Sequence, residues 1–304
     1  MDTKVSVLGS VNMDLVARVN RFPRPGETLK GTDFDRVPGG KGANQAVAAS
    51  RLGGDVSFFG LVGQDGFGQE LLENLNENGV DTESMQTRDC STGLAMIQVD
   101  NSGENQIVII PGANGKVDEE YVDSYIEAIL DTDVLLLQLE IPFKTTSYLL
   151  DRLNEAEGSS PVVILDPAPA RELSELTLSA VDYLIPNREE AEQLIAGEER
   201  RNLESEILNR GVRGLVITKG EEGSSFISRE ERFEVPGFSV EVADTTGAGD
   251  AFAGAFAVEQ SRENNMRRCL EFANATGAIA ASRDGAQPSL PRRNQVINLS
   301  DKLS

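Results

Sequence analysis

Histidine and tryptophan are absent from this 304-residue chain, and cysteine occurs only twice. Without histidine there can be no Ser-His-Asp or Cys-His nucleophile system, no HExxH zinc site and no imidazole general base. Acid–base work therefore falls to carboxylates, Lys, Tyr or Cys. Cys90 and Cys269 stand far apart with no CxxC spacing, which reads as two thiols in a reducing compartment rather than a disulfide or metal site. No apolar run approaches a membrane span, and Met1-Asp2-Thr3-Lys4 runs straight into an apolar segment without a signal-peptide pattern. The expectation is a soluble, cytoplasmic protein.

Positive charge is also scarce. Twenty-eight Lys and Arg face fifty Asp and Glu, a formal net charge of −22. Nucleic acid and anionic membranes need a basic patch, so neither is expected as a partner. The charge is diffuse rather than confined to a tail, and self-repulsion of this size is the regime halophilic proteins occupy. The alternative is an ordinary acidic cytosolic enzyme.

What the chain has is glycine, 29 residues of it, and a 39% hydrophobic content spread along its length. Val5–Leu8, Val56–Leu61, Val134–Leu139, Val162–Leu165, Tyr183–Ile185 and Leu215–Thr218 read as buried strands. Between them Ala43–Leu52, Gly68–Asn78, Glu119–Leu130, Thr145–Glu155, Glu189–Ile195 and Leu203–Arg210 carry helical periodicity. Such alternation predicts a doubly wound α/β fold with a mostly parallel sheet, binding ligands at the carboxyl ends of its strands. Two ribbons interrupt it: Leu15–Phe22 with Thr28–Val37 about a turn at Pro23–Gly26, and Gly93–Val99 with Gln106–Ile110 about Asp100–Gly103. They predict a small β-sheet lid built from residues 11–37 and 91–111, on a single domain spanning 1–304.

The sharpest local signal is Asp244-Thr245-Thr246-Gly247-Ala248-Gly249-Asp250, followed by an apolar helix over Ala251–Val258. Small residues let the amides of Gly247, Ala248 and Gly249 converge at a helix N-terminus, an anion hole suited to a transferring phosphoryl group. A carboxylate at its edge can take a proton from an incoming hydroxyl. Taken alone, the stretch reads equally well as a Gly-rich turn with Asp250 as an N-cap. Other nucleotide motifs fail. Lys41 is followed by Gly42 and lacks the upstream glycine of a P-loop, and neither Gly63–Gly68 nor Gly247–Gly254 has Rossmann spacing.

The stretch is accompanied, in order along nearly the whole chain, by others. These are Asn12-Met13-Asp14, Pro25-Gly26-Glu27-Thr28, Gly39-Gly40-Lys41-Gly42-Ala43-Asn44-Gln45-Ala46 and Asp166-Pro167-Ala168-Pro169-Ala170-Arg171. Asn187-Arg188-Glu189-Glu190, Thr218-Lys219-Gly220 and Gly285-Ala286-Gln287-Pro288-Ser289 complete the set. Together they resemble the PfkB family of carbohydrate kinases, and the Gly-Lys-Gly-Ala-Asn-Gln and Pro-Ala-Pro-Ala-Arg strings are most similar to its ribokinase branch. The resemblance implies an ATP-dependent kinase with Asp250 as base beside the Gly247, Ala248 and Gly249 amides. It implies sugar contacts from Asn12, Asp14, Gly40, Lys41, Asn44 and Glu140. Nucleotide contacts would come from Thr218, Lys219, Gly220, Gly223, Gly249 and Asn274, with Asn187 and Glu190 helping to place Mg²⁺ and the phosphates.

Ribokinases also hold K⁺ with mostly backbone carbonyls, and the matching positions here are Asp244, Thr246, Ala280, Arg283, Gly285 and Ser289. For each position a plainer reading stands beside this one: Asx turns at Asn12 and Asp14, a solvated Lys41, a surface carboxylate at Glu140, and a cap with an exposed helix carboxylate at Asn187 and Glu190. The implied reaction is phosphorylation of D-ribose at O5. Alternatives are 2-deoxyribose, ribose 1-phosphate or a nucleoside as acceptor, or a non-catalytic nucleotide or sugar sensor. A homodimer through the lid sheet is also expected, since an exposed sheet edge pairs readily with a second copy.

The charge generates a measurement. Self-repulsion is screened by salt, so the melting temperature is expected to rise between low and molar KCl. A flat melting temperature across that series contradicts halophilic adaptation.

Overall fold

The apolar runs become strands buried on both faces. The computed structural model describes residues 3–156, 160–195, 203–262 and 265–300. The large sheet has nine strands in the order Arg232–Val235, Ser224–Ser228, Gly214–Thr218, Tyr183–Leu184, Val162–Leu165, Val134–Leu137, Lys4–Leu8, Asp55–Phe59 and Val80–Asp81. Pairing is parallel from Gly214–Thr218 to Val80–Asp81 and antiparallel at the other end. Alternate side chains enter opposite cores: Val5, Val7, Leu136, Ile164 and Val216 lie on one side, Leu8, Leu135, Leu137, Leu165 and Leu215 on the other. Helices must therefore cover both faces. Lys41–Arg51, Ala248–Arg262 and Met266–Ala281 cover the first, and Glu119–Leu130 and Phe143–Glu155 the second.

A second sheet has four strands in the order Asp33–Gly39, Asn12–Arg18, Gly93–Val99 and Asn105–Ile110. Its two outer pairings are antiparallel and its central one parallel. The second ribbon follows the sequence reading closely, but the first is shifted. Asn12 pairs with Gly39 and Arg18 with Asp33, rather than Leu15–Phe22 with Thr28–Val37. The ladder stops where the amide and hydroxyl of Thr32 both donate to the Arg18 carbonyl. Beyond that point Glu27 accepts from Arg21 and from the Arg24 amide, folding the intervening residues into a loop.

Other boundaries differ for local reasons. Val56–Leu61 breaks because the Gly60 amide donates to the Tyr121 hydroxyl at 2.8 Å. Leu61–Gly63 then pairs with Gln86–Arg88 as a separate two-stranded sheet. The helix expected over Glu189–Ile195 covers Arg188–Ala191, since Gln193 and Leu194 bond three residues back and tighten its end. Among the described residues, no helix is long and apolar enough to cross a membrane.

Helices Lys41–Arg51 and Ala248–Arg262 cross with almost nothing between them. A Cβ on Gly254 would lie 2.7 Å from both the Ala48 Cβ and the Gln45 carbonyl oxygen, and 3.0 Å from the Ala49 nitrogen. Overpacking of a core contact costs about 1–3 kcal/mol, so Gly254→Val is expected to lower the melting temperature by several degrees. A variant melting with wild type would show that this crossing yields freely.

Candidate active site

Polar residues cluster where the chain leaves the carboxyl edge of the large sheet. Glu140 follows strand Val134–Leu137, Asp166 follows Val162–Leu165, Asn187 follows Tyr183–Leu184, and Thr218 ends its own strand. Asn12 begins the first strand of the second sheet, four residues after Lys4–Leu8 ends. The turn from the second sheet into helix Lys41–Arg51 runs through Gly40 at φ 87°, where a Cβ would meet the Asn12 nitrogen at 2.8 Å. A conformation with positive φ and no room for a side chain requires glycine.

Asp250 sits in the first turn of helix Ala248–Arg262 and is buried. Its two carboxylate oxygens accept from different amides, Oδ2 from Asn44 at 2.9 Å and Oδ1 from Gln45 at 3.1 Å. Burial pushes its pKa up to about 6, with Asp166 pushing the same way and Lys41, Asn44 and Gln45 opposing. Asp166 is likewise raised to about 6, first by burial and against Lys41, whose Nζ lies 3.9 Å from Asp166 Oδ2. Burial works against the Lys41 charge, but Asp166, Asp250, Glu140 and Glu190 outweigh it and raise the ammonium's pKa.

On the side of the second sheet, Glu140 Oε2 accepts from the Ser10 hydroxyl at 2.5 Å and the Lys41 amide at 3.0 Å. Asp14 is pushed up to about 7 by burial and then by Glu140 and Asp250. Asn12 is held by Asn114, whose Nδ2 donates to its Oδ1 at 2.8 Å. Asn114 also exchanges hydrogen bonds with the Val11 backbone. The buried Oδ1 of Asn44 has no hydrogen-bond partner within the described residues, leaving an acceptor for a ligand hydroxyl.

Two adjoining cavities flank this cluster. One of about 220 Å³ is lined by Lys41, Asp166, Asn187, Glu190, Gly247 and Asp250, among others. The other, about 400 Å³, includes Gly220, Gly223, Val242, Phe252, Asn274 and Ala278 in its lining. Thr218, Thr245 and Gly249 border both. A polar cavity opening into a largely apolar one matches a phosphate chain attached to a flat ring.

The other sequence candidates fall in instructive places. Asn187 and Glu190 form a capping box, Asn187 Oδ1 accepting from the Glu190 amide and Glu190 Oε2 from the Asn187 amide, both at 2.8 Å. They thus combine the plain reading, a cap, with a position on the smaller cavity. Asn274 Nδ2 donates to the carbonyls of Val235 and Pro236, bracing the wall of the larger one. Lys219 borders neither cavity; its ammonium pairs with Glu234 at 2.5 Å. Of the three amides expected to converge, that of Ala248 turns back onto the Thr245 carbonyl at 3.2 Å, leaving Gly247 and Gly249 as the candidates.

The loops carrying the expected cation positions are also joined. Asp244 Oδ1 accepts from the amide and hydroxyl of Thr246, and its Oδ2 from the Gly285 amide at 2.9 Å. These bonds hold the Asp244 carboxyl below the usual range against the opposing effect of burial. The Arg283 amide donates to Ala280, and its guanidinium to the Ser289 carbonyl at 3.2 Å. Ser10, Asn114 and Gln138 were not singled out from sequence, and Gln45 and Asp166 stood within quoted strings without being given a role. Asp166 had a further signal, standing one residue past an apolar strand at the ligand edge, and Gln45 lay in a glycine-rich string, whereas the others are common polar residue types with no local mark.

Known proteins resemble the whole chain. The model of the pfkB family carbohydrate kinases matches residues 2–293. A ribokinase of Lactococcus lactis is 40% identical over 296 residues, covering 97% of this chain and 96% of that one. A deoxyribokinase of Salmonella typhi is 33% identical over 307 residues, covering 98% and 99%. The structure of Arabidopsis thaliana ribokinase complexed with ribose and ATP superposes with a TM-score of 0.89 at 30% identity, covering 99% of each chain. The chain belongs to the pfkB family of carbohydrate kinases.

Proposed function

We propose that this enzyme transfers the γ-phosphoryl group of ATP to O5 of D-ribose, with Asp250 as the base. The observation that carries the reading is the position of Asp250. It lines the smaller cavity, is hydrogen-bonded to Asn44, and acts together with Glu140 on the buried carboxyl of Asp14. ATP would lie with its ring in the larger cavity and its phosphates in the smaller, and ribose between Asp250 and the second sheet. With a pKa near 6, Asp250 is ionised at neutral pH and ready to accept the hydroxyl proton. The Gly247 and Gly249 amides, at the N-terminus of a fifteen-residue helix, face the transferring group, and Lys41 adds a fixed positive charge. Phosphoryl transfer proceeds through a loose transition state, so positioning and charge are what the protein must supply. Covering the sugar with the second sheet excludes the water that would hydrolyse ATP.

Two ions are part of the reading. No group of three or more acidic or cysteine side chains able to hold a metal occurs among the described residues. This suits Mg²⁺, which keeps several waters and phosphate oxygens as ligands. Glu190 and Asn187 on the smaller cavity would hold it, mainly through water, and when bound it supplies neutralisation of phosphate charge. The carbonyls of Asp244, Thr246, Ala280, Arg283, Gly285 and Ser289 would hold K⁺. The Asp244 bonds to Thr246 and Gly285 support that assignment by joining the loops that carry them.

Ribose is favoured over an anionic acceptor because Asp14, Glu140 and Asp250 share the pocket side with one Lys41. Two of the lid cations are engaged by lid carboxylates, Arg21 by Glu27 and Arg18 by Asp35. The deciding measurement is kcat/KM with ribose, 2-deoxyribose, ribose 1-phosphate and adenosine at saturating Mg-ATP, in KCl and in NaCl. Ribose is expected first, 2-deoxyribose weaker because a site built to bond a hydroxyl penalises its loss, and KCl faster than NaCl. Asp250→Asn is expected to lower kcat about 10²–10⁴-fold while nucleotide binding persists. Preference for ribose 1-phosphate, or full turnover by that variant, overturns the corresponding part.

The enzyme is also read as a cytoplasmic homodimer joined through the second sheet. Every residue of strand Asn105–Ile110 is exposed, including Ile107, Val108, Ile109 and Ile110, with Phe34 and Met96 exposed on the same sheet. An unpaired apolar edge favours a second copy. Light scattering is expected to give twice the chain mass, and Val108→Lys to shift it toward monomer; a wild-type monomer at micromolar concentration contradicts the assignment.

A further inference from the structure

Gln45 is completely buried on helix Lys41–Arg51, and its side-chain amide meets no open space. Its Nε2 forks between two carboxylates, Asp166 Oδ2 at 2.7 Å and Asp250 Oδ1 at 3.1 Å. Its Oε1 accepts from Nε2 of Gln138, also fully buried, at 2.6 Å. The orientation of the amide follows from its neighbours. Turned over, it would present a carbonyl oxygen to two carboxylates and an NH₂ group to the Gln138 donor, breaking every bond it makes. Asn44 Nδ2 holds the remaining Asp250 oxygen at 2.9 Å.

We propose that Gln45, oriented by Gln138, is a positioning residue for phosphoryl transfer: it fixes the Asp250 carboxylate in one bonding arrangement and stands between it and Asp166. The inference rests on the reading of Asp250 as the base. Each Asp250 oxygen keeps a lone pair beyond its amide bond, and with rotation about the carboxyl prevented, that lone pair has one direction in which to meet a hydroxyl. Two carboxylates in contact tend to share a proton, which would disable one of them as a base. The intervening NH₂ gives each its own donor. The charged groups facing Asp250 are Lys41 from the helix carrying Gln45, Asp166 from the sheet edge and Asp14 from the second sheet. Burial raises the Asp250 pKa, and the hydrogen bond from Gln45 opposes that rise.

Gln45→Met keeps the volume and removes both donor and acceptor. Without the donor the ionised carboxylate loses support, so its pKa rises and the acid limb of kcat/KM moves upward. The expected shift is about one pH unit. At pH 8, kcat is expected to fall about 10–100-fold, with KM for ribose and Mg-ATP changed less than about threefold, because misplacement of a reacting group acts on the transition state. Gln138→Met, which removes the donor that braces Gln45 Oε1 and leaves the amide held from the carboxylate side alone, is expected to do the same to a smaller degree, and it decides the matter if the Gln45 variant does not fold. A kcat loss uniform across pH, with the limb in place, identifies a packing role and overturns the proposal, as does wild-type behaviour. Asp250→Asn is assayed alongside. Full turnover there removes the base reading and this inference together, whereas an inactive Asp250 variant with an unmoved limb in both glutamine variants removes this inference alone.

Discussion

The polar cluster around Asp250 depends on a crossing of two helices that only small residues permit. Gly254 and Ala48 let helices Lys41–Arg51 and Ala248–Arg262 approach at backbone contact. That approach carries Asn44 and Gln45 from one helix onto Asp250 of the other. Neither helix could hold a buried carboxylate alone, since its charge would lack donors. The geometry around Asp250 is therefore a packing result as much as a polar one. The side chains touching Asp250 are set by glycine and alanine about one turn away.

Electrostatics sets the second constraint. Asp14, Glu140, Asp166, Glu190 and Asp250 all act on or through the neighbourhood of one lysine, Lys41. Burial and mutual repulsion raise Asp14, Asp166 and Asp250 together, toward the range where enzymes exchange protons near neutral pH. A centre so rich in carboxylates is hospitable to hydroxyls and to cations. On the proposed reading, phosphates would be met there by helix N-terminus amides, Lys41 and the ions they bring with them. The same imbalance appears at larger scale in the chain's net charge of −22.

Much of this arrangement was legible in the sequence. The parallel sheet followed from apolar runs at regular intervals, because strands buried on both faces need no alternation. Strand Gly93–Val99 was read to the residue, helped by the Asp100–Gly103 turn. Asp250, Lys41 and Asn44 were singled out because they stand in glycine-rich strings that resemble those of the pfkB family, and the structure brings the three together. The displaced register of Asn12–Arg18 was not legible, since it is set by Thr32 bonding back to Arg18 across the loop. Gln45 and Gln138 escaped for a different reason. A buried glutamine is meaningful only through its partners, and those lie 93 to 205 positions away in the chain.

The second sheet is continuous with the residues it covers. Asn12 and Asp14 belong to its strand Asn12–Arg18, and Lys41 stands two residues after strand Asp33–Gly39. Any swing of that sheet about its root carries Asn12 and Asp14 with it and pulls on Gly40, the turn leading to Lys41 and Asn44. With the sugar placed as proposed, roof and floor of its site would be a single moving part, so enclosing a sugar and completing its set of contacts would be one event with one equilibrium. Sugar affinity then includes the work of moving the whole sheet, and an acceptor that engages Asn12 and Asp14 poorly loses closure as well as contacts. On that reading, substrate choice would be exercised by a hinge.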